Sequence, residues 1–82
     1  MNQLERIRHM EQLLDFVIEA RKKQTINQEL KERIQEAIGI LSDYYSSKKW
    51  KQDFTDDEAG LLPKDLKRGV LSEDGIWNVL NP

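Results

Sequence analysis

Apolar residues at the start of the chain recur at steps of three and four. Leu4, Ile7, Met10, Leu14, Val17 and Ile18 form one stripe, widened by Leu13 and Phe16. Glu5, Arg6, Arg8, Glu11, Asp15 and Glu19 fill the rest of the circumference, and no Gly or Pro occurs before Gly39. This spacing predicts an amphipathic helix over about residues 2–23. Arg21, Lys22 and Lys23 stand where cations offset the negative end of a helix dipole. Gln24 to Asn27 reads as a turn, with two competing N-caps: Thr25, which forms a capping box with Gln28, and Asn27. Leu30, Ile34, Ala37, Ile38, Leu41 and Tyr45 then predict a second helix at about 27–46, with Tyr44 on the stripe's edge. Gly39 inside it costs about 1 kcal/mol relative to Ala. A close helix crossing is the expected reason to tolerate it.

Two helices of similar length joined by a short turn make an antiparallel hairpin. Alone, such a hairpin leaves part of each stripe wet, so the rest of the chain or a second copy must cover it. Lys48 to Phe54 reads as one or two helical turns with Trp50 and Phe54 on one face. Leu61, Leu62 and Pro63 form an apolar corner, and Lys64 to Arg68 read as a single turn stopped by Gly69. Ser72 is a good N-cap for a final helix at about 73–80, with Glu73 and Asp74 complementing the dipole. That helix presents Ile76, Trp77 and Leu80, with Val79 at the margin. No segment has strand periodicity and none repeats.

Composition narrows the classes of function. The chain has 82 residues, 38% of them hydrophobic and 34% charged, with a net charge of −2. That supplies one small core. It is too apolar for a disordered chain, and a pocket of the usual enzyme size, roughly 300 Å³, would consume much of such a core. There is no Cys for disulfide or thiol chemistry, and the lone His9 cannot build a zinc site by itself. No apolar run reaches the roughly 18 residues of a membrane span. Met1 to Glu5 lack the start of a signal peptide. The expectation is a soluble cytoplasmic protein from a bacterium or a phage. Residues 1–52 carry 10 Lys/Arg and 8 Asp/Glu, and residues 53–82 carry 3 and 7. Neither part has the basic excess of a general nucleic-acid binder.

Several side-chain groups are candidates for chemistry, and each has a plain structural alternative. A calcium loop starting at Asp53 would place Glu58 where an EF-hand needs Gly and Lys64 where it needs a bidentate Glu. A solvated acidic loop is the expectation for Asp53, Asp57 and Glu58. The same three carboxylates could do acid–base work only in a cleft that shifts their pKa values. His9 lies beside the apolar stripe, as a solvated or rim residue, so no Ser–His–Asp set is expected. Lys64, Lys67 and Arg68 could hold a phosphate, but no Walker-type glycine loop accompanies them. Internal ion pairs with Asp65, Glu73 or Asp74 are the better reading. Phe54 and Trp77 are expected in the core. Trp50, set among Lys48, Lys49 and Lys51, suits either a rim position or a contact to an acidic partner.

One stretch resembles a known family. It comprises Asp43-Tyr44-Tyr45, Trp50, Asp53-Phe54, Asp57-Glu58, Gly60, Leu62-Pro63 and then Asp65 through Ile76 without a break. It is similar to a bacterial family of small proteins known only as a domain of unknown function. Leu4-Glu5-Arg6-Ile7 and Met10-Glu11 also resemble that family's start. The likeness covers nearly the whole chain and is most specific at residues 43–77. It implies one compact domain, with relatives continuing the final helix, and supplies no activity.

The fold expected over residues 1–82 is therefore all-α: an antiparallel two-helix hairpin, a segment 48–71 wrapping across it, and a short C-terminal helix. The expected core is Leu4, Ile7, Leu14, Val17, Ile18, Leu30, Ile34, Ile38, Leu41, Tyr45, Phe54, Leu66, Leu71, Ile76, Trp77 and Leu80. Three functions fit it. The favoured one is a small protein-binding or regulatory module without catalytic activity or cofactor. Its partner is another protein or a second copy, met through Trp50, Leu61, Leu62, Lys64, Lys67 and Arg68 or through the hairpin faces. The alternative is a nucleic-acid-binding accessory protein using Lys48–Lys51 and Lys64–Arg68. The third, an enzyme, requires a pocket lined by two or more of Asp53, Asp57, Glu58, Lys64, Lys67 and Arg68.

Overall fold

The structure is a computed structural model that describes residues 1–81. Four α-helices and one 3₁₀ turn follow in order: α1 (Gln3–Arg21), α2 (Gln28–Tyr45), α3 (Lys48–Glu58), the 3₁₀ turn Gly69–Leu71, and α4 (Glu73–Leu80). No strand occurs among the described residues, so the fold is all-α.

Each helix starts where a short polar side chain satisfies a free backbone N–H. Asn2 caps α1 by accepting from Glu5 N, and Ser47 caps α3 by accepting from Trp50 N. Ser72 caps α4 through Gly75 N, and Asn27 caps α2 through Leu30 N. Asn27 thus prevails over Thr25. The hairpin is antiparallel because Arg6, near the start of α1, and Tyr44, near the end of α2, reach the same carboxylate of Asp53.

The hairpin packs one of its faces against everything that follows. α3 lies across the end of α2, and a strap of residues 61–72 runs back over α1. α4 then rests on both long helices. The core holds Ile7, Leu14 and Val17 of α1, Ile34, Ala37, Leu41 and Tyr44 of α2, and Trp50, Leu62, Leu66, Val70, Leu71, Ile76 and Val79 from the covering segment.

The structure corrects several expectations. Ile18 is 38% exposed and Trp77 is 50% exposed, while Val79 is buried. α4 is short, and it turns Ile76 and Val79 inward, three residues apart, which leaves Trp77 outside. Tyr44 is buried and Tyr45 only half-buried, because the Tyr44 hydroxyl has an acidic partner inside. α3 runs for 11 residues, further than one or two turns. Asp53, expected in a solvated acidic loop, lies within it, and its side chain is fully buried. Lys64 to Arg68 is not helical; the turn forms one step later, at Gly69–Leu71, where Glu11 accepts the Val70 N–H. Gly39 has no crossing helix against it, since a Cβ there would meet nothing within 4 Å.

Candidate functional site

Asp53 centres the most densely hydrogen-bonded side-chain cluster. Arg6 grips it with two hydrogen bonds, Nε to Oδ2 at 3.0 Å and Nη2 to Oδ1 at 2.6 Å. Tyr44 donates its hydroxyl to Oδ2 at 2.6 Å, and Gln3 donates its amide to Oδ1 at 3.0 Å. One carboxylate therefore ties α1, α2 and α3 together. Burial pushes the Asp53 carboxyl pKa up, but the donors Arg6, Tyr44 and Gln3 outweigh it and hold it below the ordinary aspartate value. Burial, and then the charge it donates to, drive the Tyr44 hydroxyl far above its usual value. At neutral pH Asp53 is charged and Tyr44 is protonated. A general acid or base titrates near its working pH. These groups do not, and the cluster fastens helices.

A second set of contacts anchors the strap. Glu11 is only 5% exposed, and its Oε1 accepts the Val70 N–H at 2.8 Å. Trp50 Nε1 donates to the Val70 carbonyl at 2.8 Å. Both backbone groups of Val70 are thus held by side chains, one from α1 and one from α3. Gly69 lies against Glu11, where a Cβ would sit 3.0 Å from Oε1 and 3.1 Å from Leu14 Cδ2. Gly75 is tighter still, because a Cβ there would be 2.7 Å from the Gly69 carbonyl oxygen. The absence of a side chain lets the start of α4 close onto the 3₁₀ turn.

The six residues proposed from the sequence divide. Trp50 is buried, stacked on Phe54 at 5.1 Å and edge-on to Tyr45 at 4.7 Å. Leu62 is also buried, whereas Leu61 is 71% exposed. Arg68 is half-buried, with Nε 2.7 Å from Asp57 Oδ1 and Nη2 2.9 Å from the Pro63 carbonyl. Lys67 is exposed and reaches Asp15 at 2.6 Å, so its acidic partner comes from α1 and not from nearby sequence. Lys64 is exposed. The structure does not bring these six into one site. Lys67 lines a cleft of about 300 Å³ with Arg8, Glu11, Asp15 and Asp65, whose mixed charges largely offset one another. Among the described residues no three His, Asp or Glu side chains gather as metal ligands would.

A different surface is open. On the hairpin face that the strap leaves bare, a groove of about 380 Å³ lies between α1, α2 and the start of α3. Met10, Ile40 and Tyr44 form its apolar wall, and His9, Asp43 and Lys49 stand at its rim. No residue after Lys49 lines it. Ile40 is 36% exposed, and Met10, Leu13 and Phe16 are half-buried.

The family model of a domain of unknown function, DUF4298, matches residues 7–82. The chain belongs to the DUF4298 family. No curated protein and no solved structure matches it. In this DUF4298 chain, the residues that carried the resemblance act mainly as fasteners: Tyr44 and Asp53 in the buried cluster, Arg68 with Asp57, Trp50 with Val70, and Gly69 and Gly75 at close approaches.

Sequence reasoning missed Glu11, Arg6 and the groove. Glu11 was legible, since it stands four residues after Ile7 and three before Leu14, inside the apolar stripe. Asp53 follows Trp50 by three, which puts both on one face of α3. Nothing in the sequence pairs either with its partner, because those contacts span 59 and 47 residues of chain.

Proposed function

We propose that this chain is a small protein-binding module without catalytic activity, and that its binding surface is the open face of the hairpin. The observation that carries this reading is the apolar groove at Met10, Ile40 and Tyr44, which no residue after Lys49 lines. An apolar recess rimmed by polar groups suits a protein partner, and buried apolar anchors supply most of the binding energy in such contacts. The polar groups Asp53, Glu11 and Arg68 are already engaged by other groups of the chain, which leaves them no free donor set for a competing chemistry. The working place is the cytoplasm of a bacterium. No helix among the described residues is long and apolar enough to cross a membrane.

The test is affinity capture from the native cell with wild-type and Ile40→Glu baits. Ile40 is partly exposed and has no polar role, so the substitution alters the groove while sparing the fold. A protein retained by the wild type and lost with Ile40→Glu supports the reading. Identical captures by both baits, or none by either, overturn it.

A further inference from the structure

Every aspartate of this chain but one is followed by a residue with a side chain. Asp15, Asp43, Asp53 and Asp65 precede Phe16, Tyr44, Phe54 and Leu66, while Asp56 and Asp57 precede Asp57 and Glu58. Asp74 alone precedes a glycine, Gly75, and no Asn does. The fold itself demands that glycine. A Cβ at position 75 would stand 2.7 Å from the Gly69 carbonyl oxygen, so the start of α4 closes onto the 3₁₀ turn only without one. Asp74 is exposed in the first turn of α4.

An Asp–Gly pair is open to a reaction of its own backbone. Glycine leaves its amide nitrogen unshielded and its backbone free to turn. The Gly75 nitrogen attacks Cγ of Asp74, the N–Cγ bond forms, and one carboxyl oxygen leaves as water with the amide proton and the carboxyl proton. Water then opens the cyclic imide at one of its two carbonyls. Opening at Cγ restores aspartate. Opening at the main-chain carbonyl leaves isoaspartate, in which the backbone runs through the side chain and is longer by a carbon. The mass is unchanged, and no oxidant or cofactor is consumed.

Closing the ring takes Asp74 out of helical backbone angles, so the reaction waits on opening of the first turn of α4. That turn is lightly held. α4 has 8 residues, too few for a helix to persist without tertiary contacts. The Gly75 N–H lies too early in the helix to find a carbonyl of α4, and it is taken by Ser72 Oγ at 3.3 Å, a long bond. Its other support is the 3₁₀ turn against which it rests, and Glu11 and Trp50 pin that turn at Val70. Releasing Val70 takes the Gly69 carbonyl away from Gly75 and frees the start of α4.

We propose that Asp74 is a site of spontaneous isoaspartate formation, and that the latch of Glu11 and Trp50 on Val70 sets its rate. The lengthened backbone no longer fits the Gly69–Gly75 approach or the Ser72 cap, so conversion undocks the start of α4. Asp74 takes no part in the hairpin groove, and the site stands independently of the binding reading.

The test holds the folded wild-type chain warm at neutral pH for several weeks, with a fresh sample as control. Tryptic cleavage after Arg68 releases residues 69–82, and electron-transfer fragmentation of that peptide separates the two isomers of equal mass. Isoaspartate is expected at Asp74 and at no other aspartate. Glu11→Ala and Trp50→Phe should each raise its rate roughly fivefold or more, the factor by which loss of one buried hydrogen bond raises an open population. Circular dichroism confirms that the variants fold, and Trp50→Phe, which keeps an aromatic ring in the core, serves where Glu11→Ala does not. Asp74→Glu should show no conversion, because its longer side chain closes a larger and slower ring. A folded wild type that forms no isoaspartate at Asp74, while the same chain in urea does, overturns the site. A rate that no folded latch variant changes overturns the control by Val70.

Discussion

Asp53 shows how one buried charge is made tolerable. Its carboxylate has no exposed surface, yet it accepts bonds from Arg6, Tyr44 and Gln3. Removing one partner of such a pair leaves the other charge uncompensated, at about 3 kcal/mol or more. Asp53→Asn is expected to cost that much in urea denaturation. Tyr44→Phe should cost about 2 kcal/mol, because it deletes one hydrogen bond to a charged group. Two glycines give an opposed pair of outcomes. Gly75→Ala forces a methyl to within 2.7 Å of a backbone oxygen, which cannot move aside cheaply, and overpacking of this kind costs about 1–3 kcal/mol. Gly39→Ala places its methyl in open space within a helix and should stabilise by about 1 kcal/mol. Thermal melts of the two variants should shift in opposite directions.

At the scale of elements, the strap depends on a few long-range bonds more than on its own propensity. Residues 61–68 have no regular structure, and the 3₁₀ turn that follows is three residues long. Glu11 and Trp50 hold Val70 from two sides, and Arg68 closes the loop onto Asp57 and the Pro63 carbonyl. Glu11→Ala leaves a buried N–H without an acceptor, which costs about 1–3 kcal/mol. In hydrogen exchange, the amides around Val70 should lose protection first, while the middles of α1 and α2 keep theirs. Equal loss across all helices would mean that the strap and hairpin open as one unit. The helices themselves were readable from periodicity and caps to within about two residues at most ends. α3 was underestimated, because Thr55 to Glu58 continue it with polar residues only and leave no apolar signal.

For the whole molecule, the measurable consequence is a pH dependence of stability. The folded pKa of Asp53 lies below its unfolded value. A carboxyl depressed in this way stabilises the fold above its unfolded pKa of about 4, and the contribution fades as pH falls through the lower folded value. Tyr44 behaves in the opposite sense. Its pKa is raised by folding, so its contribution is complete below 10.0 and is lost as pH rises above that. Urea midpoints should therefore hold steady near neutrality and fall at both extremes. In Asp53→Asn the acid limb should flatten, since the substituted side chain has no proton to gain. An acid limb as steep as that of the wild type would locate the titration elsewhere.

Local chemistry was enough to establish that this chain forms two long amphipathic helices and a short capped one. Apolar spacing and capping act within a few residues, and both are written consecutively along the chain. The same local rules placed Ile18 and Trp77 in the core and Asp53 in water, and there they failed. Whether a stripe residue is covered depends on which distant segment lies over it. Whether a carboxylate can be buried depends on donors such as Arg6, 47 residues away. Only the folded chain joins Glu11 to Val70, and only the folded chain leaves one face of the hairpin bare. Contacts between residues far apart in sequence carry no periodic signature, so the fasteners and the open groove emerged together with the packing.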